Sequence, residues 1–434
     1  VLHVEVRPRA YHDSIVLMAA SARMMAVEGT EAAMAAMATP LNLDVLRDSG
    51  LWADALSGAG PDDLVLAARG RDPEAAIGAA EAALAERRAT RASASEPAPR
   101  TVRAAAGQLP GANLAVISVP GEHAAWTCWD ALRAGLNVFC FSDNMIIAHE
   151  VLLKEEALRR GLLMMGPDCG TAIVDGVGMG FWNEVPRGRI GIVGASGTGV
   201  QQLCCLLAHQ GAGVSHVIGV GGRDLSPEVD GRMTREAIRR LDDDPDTDVI
   251  VVVSKPATAD LRARKPLVSA LLGPGVDLTE VALRVGGGRL PDEPEPLDWN
   301  GPVTGLFSGG TLRDEAALVW AGDATPERFT ATDYGSGEHT RGRPHPMIDQ
   351  RLRLEAIRGA RGLVYLDVVL GHGAHPDPAS ELAPALAGRP AVVALIGAEA
   401  DPQGLARQRS ALEAAGARVF LSNSRAAASL LKRP

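Results

Sequence analysis

Aromatic side chains are scarce: they make up 3% of 434 residues, with six Trp, six Phe and three Tyr. A chain of ordinary apolar content that is rich in Ala and Gly but poor in rings suits helices packed closely on parallel sheets better than a β-sandwich. Cysteine is sparse as well. The five (Cys128, Cys140, Cys169, Cys204 and Cys205) are odd in number and contain no C-x-x-C pair, which argues against a disulfide framework and a zinc site. They read as small buried hydrophobes. There is no block of basic residues, and the net charge is −10, so neither nucleic acid nor an anionic membrane gains electrostatic support as a partner. No apolar run is long enough to span a membrane, and LHVEVRP at the start reads as a strand rather than a signal peptide; the expected location is cytoplasmic.

What is present is alternation. A length of 434 residues fits about three or four domains, each with its own core. Residues 1–88 alternate strand (LHVEVR), helix (DSIVLMAASARMMAVE), strand-like segment (AAMAAMATP), strand (DLVLAAR) and helix (DPEAAIGAAEAALAERRA), predicting a small α+β domain. Residues 89–107 have a linker's composition. Strand and helix then alternate through residues 108–184 at a spacing that implies a parallel, Rossmann-like sheet. Two further parallel-sheet domains are expected at 188–283 and 302–434, separated by a second linker over 284–301.

The stretch GRIGIVGASGTGVQQ (188–202) reads strand, glycine turn, helix. Such a turn leaves the first N–H groups of the helix unpaired, beside the hydroxyls of Ser196 and Thr198, which suits a phosphate or carboxylate. It is not a Walker A loop, since Gly197 rather than Lys precedes Thr198, and the G-x-G-x-x-G spacing is absent. Taken alone, the turn reads equally as a tight bend permitted by its glycines, Gly194 included.

The turn recurs. VTGLFSGGTLRDEAA (303–317) again reads strand, Ser308-Gly309-Gly310-Thr311, helix, and three later matches keep the same order. IGVGGRDL (218–225) matches TDYGSGEH (332–339), VIVVVSKPA (249–257) matches LVYLDVVLGHGA (363–374), and KPLVSALLG (265–273) matches RPAVVALIG (389–397). Collinear matches of this kind predict a duplicated α/β module. Two equivalent helix starts can then face one anion at the carboxyl ends of the strands.

GPDCGTAIVDG (166–176), RGRIGIVGASGT and IGVGGRDL resemble the α-chain of succinyl-CoA synthetase, and GLFSGGTL resembles a helix start in its β-chain. FSDN (141–144), MGPDCGT (165–171), GASGTG, IGVGGRDLS (218–226), VSKP (253–256), GGTL (309–312) and GRPHPMID (342–349) resemble the FdrA family over essentially the whole chain. The resemblance implies a Rossmann-like CoA-binding-type domain followed by two flavodoxin-like, succinyl-CoA ligase-like domains. It also implies that Ser196, Gly197, Thr198, Gly309, Gly310 and Thr311 surround a phosphoryl group. In the synthetases a phosphohistidine follows the strand matching KPLVSALLG, whereas residues 265–299 here contain no histidine; the covalent relay cannot run in the same way. An ATP-grasp domain is missing, and the chain is shorter than fuller FdrA-type proteins. The family is linked to oxamate carbamoyltransferase in anaerobic allantoin degradation, where FdrA-type proteins work with companion subunits. That reaction needs phosphate or carbamoyl phosphate to be held but no phosphoenzyme.

Single residues keep two readings each. Arg223 in GGRDLS suits a carboxylate or phosphate clamp, or a surface ion pair with Asp224 or Glu228. His345, between two prolines and near Arg343, suits proton transfer or a packed loop. Lys255 neutralises a phosphate or caps a strand end. Asp168 reads as structural or substrate-adjacent, like Asn144 in FSDN; Cys169 has no activating base nearby. His339, His372 and His375 read as surface-loop residues, and GHGAH forms no metal site. Three functions compete: a carbamoyltransferase component that binds a small anion and works in a hetero-oligomer; an ADP-forming acyl-CoA synthetase, which alone would call for CoA and ATP; and a noncatalytic anion-binding scaffold.

Overall fold

Glycine and proline punctuate short apolar runs throughout, and the chain turns at them. The computed structural model describes residues 1–10, 12, 14–92, 99–255, 257, 260–340 and 343–432. They form two units, 1–98 with 341–343, and 99–340 with 344–434.

In the first unit the order is β1 (Leu2–Arg7), α1 (Ser14–Met25), β2 (Thr30–Met37), α2 (Pro40–Asp48), β3 (Leu64–Gly70) and α3 (Pro73–Ala92). The strands pair antiparallel as β1-β3-β2. Alternation along the central strand explains the two cores: Leu64, Leu66 and Ala68 pack with α1 and α3, and Val65 and Ala67 pack with Leu46, Leu51 and Leu56. Helix α2 was not foreseen. Thr39 caps it by accepting from the Asn42 N–H at 3.3 Å, and Pro40 sits at its first turn.

The second unit opens with α4 (Val102–Gln108), a helix capped by Thr101 where the sequence reads as linker. None of its residues is buried, so there was no apolar period to find. The alternation β4 (Leu114–Ile117), α5 (Gly121–Arg133), β5 (Asn137–Cys140), α6 (Ile147–Arg160) and β6 (Met164–Met165) then builds a parallel three-stranded sheet.

The next elements are β7 (Thr171–Val174), β8 (Val177–Gly180), β9 (Arg187–Gly194), α7 (Gly197–His209), β10 (Val214–Gly219), α8 (Arg232–Asp243), β11 (Val249–Ser254), β12 (Leu267–Leu271) and α9 (Leu278–Gly286). Their sheet runs β12-β11-β9-β10-β7-β8. Residues 171–180, assigned by sequence to the Rossmann-like domain, thus belong to the neighbouring sheet as a hairpin paired antiparallel to β10.

The last module contains β13 (Val303–Phe307), α10 (Gly310–Trp320), β14 (Phe329–Asp333), α11 (Gly337–Thr340), α12 (Arg351–Gly359), β15 (Leu363–Val369), α13 (Pro378–Leu386), β16 (Ala391–Ile396), α14 (Leu405–Ala414), β17 (Ala417–Phe420) and α15 (Asn423–Ala428). Its sheet runs β14-β13-β15-β16-β17, all parallel. The order β12-β11-β9-β10 is therefore repeated as β16-β15-β13-β14, which is the duplication read from the sequence.

Strands buried on both faces split their side chains between cores. Ile250 and Val252 of β11 join the core of the Rossmann-like sheet, while Val251 and Val253 join that of α7 and α9. Helix α7 is buried from Gly199 to Leu207. Its Leu203, Cys204 and Leu206 pack on their own sheet, and Cys205 packs into the core of the last module. All five cysteines are free and buried.

Candidate functional site

Strands β9 and β13 each run into a turn that starts a helix, and the two helix starts interlock. Ser196 is the N-cap of α7, extended, with its Oγ accepting the Gly199 N–H at 3.2 Å. Gly309 holds the same place before α10 and makes no side-chain cap. Across the junction Ser196 Oγ lies 2.5 Å from Thr311 Oγ1. A methyl at Gly309 would meet Thr198 Cγ2 and Oγ1 at 2.6 Å, and one at Gly199 would meet Ser196 Oγ and Thr311 Cγ2 at 2.8 Å. Glycine is what permits the approach. The N–H groups of Gly197, Thr198, Gly310, Thr311 and Leu312 have no partner among the described residues, so both positive helix ends offer donors at one junction.

A second feature points to a ligand there. Thr171, 4% exposed, has an Oγ1 with no hydrogen-bond partner among the described residues. That hydroxyl lies 3.6 Å from a methyl position on Gly197, the first residue of α7. A buried hydroxyl without a partner is costly unless something completes it.

Charged groups from all three sheets rim the junction. Lys255, just past β11, is exposed, and its Nζ lies 3.5 Å from a methyl position on Gly310. It makes no hydrogen bond or ion pair with the described residues. Asp333, at the end of β14, accepts the Gly335 N–H at 2.9 Å and places its other oxygen 3.0 Å from the same Gly310 position. Burial raises its carboxyl pKa, against the Gly335 hydrogen bond, Arg313 and Lys255. Asp168 is open to solvent, yet protein atoms crowd round its carboxyl. That desolvation, followed by the charge of Asp143, pushes its carboxyl up to about 6; Lys255 and Arg223 pull it down.

His345 is half-buried against Phe181, with ring centroids 5.8 Å apart. Its Nδ1 accepts the Met347 N–H at 3.2 Å, and its Nε2 lies 2.7 Å from a methyl position on Gly335. Burial first, then Arg353, depresses it to about 4, so it is a neutral imidazole at pH 7. Asn144 Oδ1 reaches within 3.8 Å of a methyl position on Gly337. Arg223 pairs with Glu150 at 2.9 Å and donates to the Met145 carbonyl at 2.7 Å, rather than meeting Asp224 or Glu228.

Three expectations need correction. Ser308 is fully buried and spends its N–H and hydroxyl on Asp367, at 2.8 Å each, with Arg353 bonded to the same carboxylate; it props the turn from behind. Its counterpart in the first module is Ala195, one residue earlier than the motif alignment implied. Gly194 is a buried ladder residue of β9 with Val200 against it, not an anion contact. Arg343 is exposed and groups with the first unit. Thr171 and Asp333 were passed over, although both stand in quoted motifs, MGPDCGT and TDYGSGEH; no residue type marks a hydroxyl as lacking a partner. The remaining histidines of interest lie in other contacts: His372 stacks on Trp182 and pairs with Glu184, His375 pairs with Glu381, and His339 meets Tyr334.

Paired helix starts on two repeated parallel sheets, beside a small Rossmann-like sheet, place this chain in a class that the comparisons define. Residues 306–431 match the CoA-ligase family and residues 186–270 the CoA binding domain. Residues 1–100 match the domain described as AllF, heavy metal-associated domain. That segment contains no cysteine, and among the described residues no three His, Cys, Asp or Glu gather to hold a metal.

The protein called Uncharacterized protein YahF from Escherichia coli (strain K12) is 35% identical over 506 aligned residues, covering 99% of this chain and 98% of that one. The alignment is longer than this chain, so the relative carries segments this one lacks. The ADP-forming succinate–CoA ligase subunit alpha-2 of Trichomonas vaginalis is 28% identical, over 41% of this chain and 63% of that subunit. A dinucleotide-forming acetyl-coenzyme A synthetase 1 from Ca. Korarchaeum cryptofilum, solved with phosphate and ADP, is 15% identical with a TM-score of 0.32, covering 77% of this chain and 84% of that one. The chain belongs to the FdrA, succinyl-CoA synthetase-like group of the CoA-ligase superfamily. No helix among the described residues is long and apolar enough to cross a membrane.

Proposed function

We propose that the chain holds phosphate or carbamoyl phosphate between the starts of α7 and α10, and that it serves as the phosphate-binding subunit of a carbamoyltransferase working with companion subunits. The observation that carries this reading is the convergence on one junction of five N–H groups without a partner among the described residues, the hydroxyls of Thr171 and Thr311 and the Lys255 ammonium, with no histidine anywhere between residues 217 and 338. A phosphate leaving a carbamoyl carbon gains negative charge, and donors fixed in advance stabilise it without rearranging. An acceptor amide such as oxamate held beside it gains from orientation alone. Neither step needs a covalent phosphoenzyme.

The second reading is an ADP-forming acyl-CoA ligase, favoured by the matches to the CoA-ligase and CoA binding domain families. CoA and a nucleotide enter only with that reading. One experiment separates the two. With companion subunits added, the chain should move a carbamoyl group between phosphate and oxamate. Labelled ATP should leave no acid-labile phosphate on it, and CoA with succinate should give no thioester. A phosphohistidine seen by mass spectrometry together with CoA-dependent nucleotide hydrolysis would overturn the carbamoyl reading in favour of the ligase.

A further inference from the structure

Transfer of a carbamoyl group to an amide needs somewhere for a proton to go. The carbamoyl carbon breaks its bond to a phosphate oxygen and bonds to the acceptor nitrogen; phosphate leaves with the electron pair, and the nitrogen must shed a proton. Phosphate in that role is already held by donors, and Lys255 is a cation facing α10. His345 has its Nδ1 occupied by Met347, and Asp333 has one oxygen engaged by Gly335 and the other set against the start of α10. Asp168 is the carboxyl with neither oxygen engaged. Its carboxyl makes no hydrogen bond with the described residues, is reached by solvent, and lies 3.1 Å from a methyl position on Gly222. The loop that carries it runs on to Gly170, whose Cα lies 3.9 Å from a methyl position on Gly197 at the start of α7. Its backbone is left-handed, at φ 56°, and its N–H is tied to the Ser142 carbonyl at 2.9 Å, which fixes where the side chain starts.

We propose that Asp168 is the proton-transfer group beside the paired helix starts, taking the proton from the acceptor nitrogen as the carbamoyl group leaves phosphate and returning it in the reverse direction. This rests on the carbamoyl reading above. The groups facing it are Asp143 and Glu150, which favour its neutral form, and Lys255 and Arg223, which favour the charged one. Crowding and this balance hold it near 6, where a carboxyl exchanges protons in both directions close to neutral pH.

The test compares wild type with Asp168→Asn and Asp168→Glu in the assembled complex, measuring inorganic phosphate affinity by calorimetry and carbamoyl transfer to oxamate from pH 5 to pH 9. Asp168→Asn should keep phosphate affinity within about threefold and lower kcat by about 100-fold or more, erasing the acid limb of the wild-type profile. Asp168→Glu should recover part of the rate. Carbon-13 NMR of the wild-type side chain should show a titration near pH 6. An Asp168→Asn complex with rate and profile intact overturns the assignment and leaves the carbamoyl reading standing. A wild-type complex that transfers nothing overturns that reading and this role with it. An Asp168 that titrates below pH 4.5 overturns the assignment whatever the activity.

Discussion

At Gly309 a single hydrogen atom decides whether two helix starts can meet. The side chain opposite it is Thr198, short and β-branched, with few rotamers to retreat into; the contact at 2.6 Å has no flexible end to absorb it. Gly309→Ala should therefore push α10 away from α7, lowering phosphate affinity at least about tenfold and the melting temperature by several degrees. Gly78→Ala is the control, since nothing lies within 4 Å of a methyl there and it sits inside α3; it should leave affinity unchanged and add about 0.5–1 kcal/mol of stability. Equal effects of the two substitutions in calorimetry would remove the interlock from the account. Ser196→Ala should cost about 1 kcal/mol through loss of the α7 cap alone, with a further loss of affinity because the same hydroxyl reaches Thr311.

Helices α9, α10 and α15 are joined by a buried polar network that a packing argument would not supply. Glu315 of α10 accepts the Leu278 N–H at 3.1 Å and the Asn423 amide at 2.8 Å, while Asn423 also accepts the Tyr365 hydroxyl at 2.8 Å. Burial pushes the Glu315 carboxyl up to about 7, with Asp277 adding to the shift and the Asn423 hydrogen bond opposing it. An unfolded glutamate titrates near about 4.3. Between those values the folded chain keeps a proton that the unfolded chain has lost, so this contribution is complete below the lower value and disappears as pH rises through the upper one. Thermal melts of Glu315→Gln and wild type should accordingly diverge as pH rises from 5 to 8, the variant losing less stability than the wild type. Curves that stay parallel would show that Glu315 is ionised in the fold.

Across the whole molecule, the repeat was legible because parallel strands buried on both faces spell near-continuous apolar runs, such as VIVVVS, and because the first strand of each module runs into a glycine-rich helix start. The Rossmann-like alternation was legible for the same reason. Pairing was not. The hairpin of β7 and β8 follows the Rossmann-like strands in sequence but pairs antiparallel with β10, and nothing local announces a partner more than thirty residues away. The register of the second turn was misread by one residue because Ser308 resembles Ser196 in type, whereas burial against Asp367 gives it another task. The site was legible as two hydroxyl-bearing helix starts, with Asp168 read as structural or substrate-adjacent; Thr171 needed the fold, since a missing partner is a property of space.

Two helix starts sharing one anion is the claim on which the rest stands, and calorimetric titration of carbamoyl phosphate or inorganic phosphate into wild type, Thr198→Val, Thr311→Val and the double variant tests it most directly. One anion should bind per chain. Each single substitution should weaken it by about 1.5–3 kcal/mol, or about 10- to 100-fold, as expected for a lost hydrogen bond to a charged group, and the double variant should leave no measurable site. Two independent sites per chain, or affinity unchanged in both single variants, would contradict the account.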